Sequence, residues 1–85
     1  MPDRWKITAI ADDGEHVTIE ENKDGLLRRL LTEAVHKLYG EDKKVEEYEI
    51  LIDSTVQTNL DVSLEQAGLH DGSEVVVQPK DVSRG

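Results

Sequence analysis

The sequence predicts an α+β fold, a mixed sheet of four to five strands with one long helix packed across one face. Three observations carry that expectation. Apolar residues alternate with period two over residues 5–20, recur at three- and four-residue steps over residues 27–38, and return as the unbroken run Val75-Val76-Val77. Period two marks a half-buried strand, the longer step an amphipathic helix, and a short continuous apolar run a strand near the centre of its sheet.

Over Trp5–Ala11 the alternation places Trp5, Ile7 and Ala9 on one face. Asp12-Asp13-Gly14-Glu15 follows, and Asp-Gly between alternating runs is a strong hairpin signal. His16–Glu20 returns with Val17 and Ile19 inward. After the polar connection Glu21–Asp24, the stripe Leu27, Leu30, Leu31, Ala34, Val35 and Leu38 traces one face of a helix of about four turns. Arg28, Arg29, Glu33 and Lys37 fall on the opposite, wet face. Asp24 is the expected N-cap, and Gly40 fits the positive-φ position just past the C-terminus.

Beyond the charged stretch Glu41–Lys44, Tyr48–Asp53 reads as a strand with Tyr48, Ile50 and Ile52 on one face. Residues 54–61 hold turn formers around Val56 and Leu60, with room for a short edge strand. Ser63 and Gln66 have the spacing of a capping box, which opens a single helical turn that stops at Gly68. Leu69 anchors the chain, His70-Asp71-Gly72-Ser73 turns it, and Glu74–Gln78 is the final strand. The first and last strands are expected to pair in parallel at the centre, because the hairpin partner and the third strand need the flanking positions. Residues 1–78 form one domain, and residues 79–85, without apolar periodicity, are expected to be a flexible tail.

Composition narrows the function. A chain of 85 residues makes one small domain, burying roughly 60–65 % of the surface its unfolded form exposes. With no Phe and no Cys, its core is aliphatic, and disulfides, thiolate catalysis and thiolate metal sites are excluded. A net charge of −9, with ten basic residues scattered among nineteen acids, argues against nucleic acid and for a protein partner bearing a basic patch. No leader pattern and no apolar run of about 18 residues appears, so a cytoplasmic protein that does not enter membranes is expected.

His16, His36 and His70 have no ligand spacing with one another. The acid pairs Asp12/Asp13, Glu20/Glu21 and Glu46/Glu47 lie on turns or strand ends read as wet, where two carboxylates do not acquire different environments. No catalytic residue, metal site or cofactor is assigned. Partner binding is better supported. If Ile7, Ala9, Ile50, Ile52, Val75 and Val77 face inward, then Ile10, Leu51 and Val76 face out on neighbouring strands and form a small apolar patch.

The element order and the segment Leu64-Glu65-Gln66-Ala67-Gly68-Leu69-His70-Asp71-Gly72-Ser73-Glu74-Val75 resemble the ubiquitin-like proteins of the β-grasp fold, over nearly the whole chain from Trp5 to Gln78. The hairpin from Trp5 to Glu20 looks like the first hairpin of ubiquitin, including Gly14 at its turn. The resemblance implies a protein modifier. Gly85 would be adenylated by an ATP-dependent activating enzyme, passed to a conjugating enzyme and joined to a target amine. Val82, Ser83 and Arg84 would lie in the activating enzyme's groove, and Ile10, Leu51 and Val76 would be the recognition surface. Such modifiers usually end Gly-Gly, whereas this chain ends Ser83-Arg84-Gly85. Either the pathway's enzymes accommodate the arginine, or conjugation does not occur, or the natural chain continues and is trimmed. The acidic, Phe-poor composition suggests a bacterial pathway. The alternatives are a non-conjugated interaction module, as in some secretion machines, and a sulfur carrier activated as a terminal thiocarboxylate.

Overall fold

The structure, a computed structural model, describes residues 4–80. Strands β1 (Arg4–Ala11) and β2 (His16–Asn22) form the hairpin, α1 (Leu27–Leu38) crosses the sheet, and β3 (Tyr48–Ile52), β4 (Thr55–Val56) and β5 (Glu74–Pro79) complete it. The sheet order is β2-β1-β5-β3-β4, with β1 and β5 parallel at the centre and the other neighbours antiparallel. A 3₁₀ turn at Val45–Glu47, unassigned in the sequence reading, leads into β3.

The expected stripes form the core. Ile7, Ala9 and Ile19 from the hairpin meet Leu27, Leu30, Leu31, Ala34 and Val35 of α1, while Ile50, Val75 and Val77 close the other side. Strand periodicity of two and helical periodicity of 3.6 put these residues on facing surfaces, and removing them from water stabilises the fold at roughly 25 cal/mol per Å². Leu64, fully buried, and Leu69 plug the end of the layer from the turn before β5. That turn opens with the reciprocal capping box: Gln66 N–H donates to Ser63 Oγ at 3.0 Å, and Ser63 N–H donates to Gln66 Oε1 at 3.0 Å.

Three local expectations are corrected. Asp24 is not the N-cap of α1. Leu26 holds that position without a side-chain cap, and the free helix donors are met by backbone instead, Leu27 N–H by Val62 O at 2.8 Å and Arg28 N–H by Leu60 O at 2.9 Å. A passing loop thus replaces the side chain a helix N-terminus otherwise needs. Glu21 is not wet. Strand β2 runs on to Asn22, so strict alternation carries Glu21 to the helix side beside Val17 and Ile19, leaving it 7 % exposed with Arg29 Nε 3.8 Å from its carboxylate. Finally, β5 runs through Pro79, and Lys80 N–H donates to Glu47 O at 2.8 Å, so the ordered body extends past residue 78.

Gly40 has φ +134°, and a Cβ built there would lie 2.9 Å from Asp42 Oδ1. The chain leaves α1 through a conformation that other residues enter only with strain.

Candidate protein-recognition face

The sheet has one face under α1 and one face open. The register of all four strand pairings decides what lies on the open face. Ile10 is paired with His16 on β2 and with Val76 on β5; Val76 is paired with Leu51 on β3; Leu51 is paired with Val56 on β4. Directly opposed residues point to the same side, so His16, Ile10, Val76, Leu51 and Val56 form one straight line across five strands. At about 4.8 Å between strands, the apolar stretch from Ile10 to Val56 is about 14 Å long. Ile10, Leu51 and Val76 are half-buried, and Val56 at the edge is 41 % exposed. Ile10, Leu51 and Val76 are therefore brought together as expected.

Val56 belongs to the same line but was not anticipated. Its place depends on the two-residue turn Asp53-Ser54, where both residues have positive φ, 53° and 67°. Such a turn matches the twist of a hairpin but favours Asn and Gly, so Asp-Ser gave only a weak signal for it.

Beside the line lies a shallow depression of about 410 Å³. Ile10, Leu51 and Val76 line its apolar side, and Asp53, His70 and Glu74 its polar side. On the opposite flank, Gln78 Nε2 donates to Glu49 Oε2 at 2.7 Å, which orients both side chains along the sheet.

The chain's last described residues leave from elsewhere. Strand β5 enters the sheet at Glu74, next to the depression, and leaves it at Pro79, paired with Tyr48. That far end is braced by Tyr39 just past α1. Its hydroxyl donates to Val77 O at 2.8 Å, has Asp12 Oδ1 3.0 Å away, and accepts the Asp12 N–H at 3.2 Å. Burial, reinforced by the Asp12 carboxylate and partly offset by the Asp12 N–H, pushes the phenol up to about 12. Tyr39 therefore stays a neutral donor at any physiological pH. Val82, Ser83, Arg84 and Gly85 lie outside the described residues.

The histidines are dispersed: His16 opens β2, His36 lies on α1 and His70 sits in the turn before β5. Among the described residues no group of three or more His, Cys, Asp or Glu has metal-holding geometry, and no helix is long and apolar enough to cross a membrane.

The fold is that of ubiquitin-like domains. The ubiquitin-like domain of Plasmodium falciparum Dsk2 superposes with a TM-score of 0.77 at 17 % identity, covering 91 % of this chain and 99 % of that one. Ubiquitin from Caldiarchaeum subterraneum gives 0.75 at 15 % identity over 94 % and 98 % of the two chains. A de novo design based on ubiquitin gives 0.77 at 13 % identity, covering 100 % and 99 %. No protein-family profile and no curated protein matches the sequence. The expected α+β, β-grasp architecture is thus present, at identities that speak to the fold alone.

Proposed function

We propose that this ubiquitin-like β-grasp domain works by being recognised: the line Ile10–Val76–Leu51–Val56 is the surface other proteins read, and the domain reaches its targets as a covalent modifier through Gly85. The observation that carries the recognition half is the register of the sheet, which gathers four apolar side chains from four strands on the face that α1 leaves open. Isolated exposed apolar residues are ordinary, but an aligned group beside a depression is the form of a contact surface.

The modifier half rests on the resemblance and on the geometry of exit. The Gly85 carboxylate would be adenylated by an activating enzyme with release of pyrophosphate, transferred to an enzyme thiol with release of AMP, and passed to a target amine as the thiol leaves. Because β5 leaves the sheet at Pro79 and the depression adjoins Glu74 at the strand's other end, attachment would leave the recognition line open. A bacterial ubiquitin-like conjugation pathway is the setting the sequence suggests. The domain itself performs no chemistry in this reading; the activating and conjugating enzymes supply it.

Two variants test the halves separately. Incubated with ATP and an activating enzyme encoded beside it, the wild-type chain is expected to form an adenylate and a thiol adduct, both lost when Gly85 is deleted. Leu51→Arg is expected to keep the adenylate and lose binding downstream. If deletion of Gly85 leaves biological activity intact while Leu51→Arg removes it, the non-conjugated interaction module is the correct reading.

A further inference from the structure

Resting on the reading of the apolar line as a contact surface, we propose that its occupant is an amphipathic segment of another protein carrying Lys or Arg beside its apolar residues, with a cation seated in the depression next to Leu51 and Val76. The polar lining of that depression includes Asp53 and Glu74 and contains neither Lys nor Arg. The ion pairs among the described residues are Arg4–Glu20, Lys23–Asp24, Lys23–Glu65, Arg28–Asp61 and Arg29–Glu21, and none involves Asp53, Glu74 or Glu49.

Register places these acids on both flanks of the line. Glu74 lies two residues before Val76 on β5, and Glu49 lies two residues before Leu51 on β3, which runs the other way. On β1 the same face carries Lys6, in the row of Glu20 and beyond Thr8, which is Glu74's own partner. An apolar strip bordered by carboxylates that form no ion pair among the described residues is complementary to an apolar strip bordered by cations. The methylene stem of a Lys or Arg covers apolar surface while its charged head meets the carboxylates. A second copy of this chain is the wrong occupant, because it brings a further net charge of −9 and the same acidic borders.

The test uses the full chain, isotopically labelled, and two synthetic helical peptides of about five turns. Both carry the same Leu and Ala face, flanked by Lys in one and by Glu in the other. The expected result is that the Lys peptide shifts the amide resonances of Ile10, Glu49, Leu51, Glu74 and Val76, and the Glu peptide does not. Raising NaCl from about 0.1 M to about 1 M, where the Debye length falls from about 10 Å to about 3 Å, should weaken binding about tenfold. The double variant Asp53→Asn with Glu74→Gln should weaken it about fivefold, and Leu51→Arg should abolish it. Equal binding of both peptides at the line overturns the cationic occupant while leaving the line itself as a contact surface. Shifts spread over α1, or none from either peptide, also overturn the proposal, and the line's role is then judged by Leu51→Arg in the functional assay above.

Discussion

Along β5, Val75 and Val77 are buried against α1 while Val76 between them meets solvent; along β3, Ile50 and Ile52 are buried while Leu51 is not. The helix-side face and the open face are thus made from alternate residues of the same strands, with the same aliphatic chemistry. They differ in what covers them. Under α1 each side chain is packed on all sides and contributes to stability. On the open face each is only partly covered. Apolar character alone therefore does not distinguish a core residue from one on the open face of this sheet; parity and register do.

The contrast is broken most sharply at adjacent positions. Ile50→Ala, at a site of zero exposure, should cost about 3 kcal/mol and lower the thermal midpoint by roughly 12–24 °C. Leu51→Ala, one residue away, should cost less, about 1 kcal/mol, because that side chain is only partly buried. Comparable losses in urea unfolding would mean that the open face is structural.

A middle-sized effect belongs to the brace at the far end of the sheet. Tyr39→Phe removes the hydroxyl that Asp12 and Val77 share and should cost about 1–2 kcal/mol. Its pH dependence has a definite sign. The folded phenol titrates near 12 against an ordinary 10, so the native state holds the proton more tightly. That contribution is complete below pH 10 and is lost as the pH rises from 10 through 12. Wild type should therefore lose stability over that window more steeply than Tyr39→Phe, and parallel profiles would show that the hydroxyl is not held as described.

The smallest effect sharpens the edge of the open face. Ser54, at φ +67°, sits in a left-handed conformation that glycine enters freely. Ser54→Gly should raise unfolding stability by about 0.5 kcal/mol and leave Val56 paired with Leu51. A loss of stability would mean that the serine hydroxyl supports the turn.

Much of this was legible in the sequence because period and parity are local properties. The alternation of Trp5–Ala11, the stripe from Leu27 to Leu38 and the spacing of Ser63 and Gln66 each specify a face or a cap without knowledge of the rest of the chain. Ile10, Leu51 and Val76 followed from parity once the strand order was set. What was not legible came from distant segments. Asp24 has the chemistry of a cap, yet the carbonyls of Leu60 and Val62 arrive from more than thirty residues away and take its place. Glu21 carries a charge that reads as wet, and only the continuation of β2 beneath the helix buries it. Val56 joined the line through an Asp-Ser turn whose composition barely announces a hairpin. The borders of carboxylate around the line are likewise a product of register, since Glu49 and Glu74 are distant in sequence.

The central claim, that one face of the sheet is reserved for partners, is tested most directly by photocross-linking in cells of the source organism. A photoreactive phenylalanine analogue is placed at position 76 on the open face, or at position 37 on the wet side of α1, in otherwise intact chains. Discrete protein adducts from position 76, absent from position 37 and removed by Leu51→Arg, are the predicted result. Adducts that arise equally from both positions, or that survive Leu51→Arg in a folded chain, would contradict it.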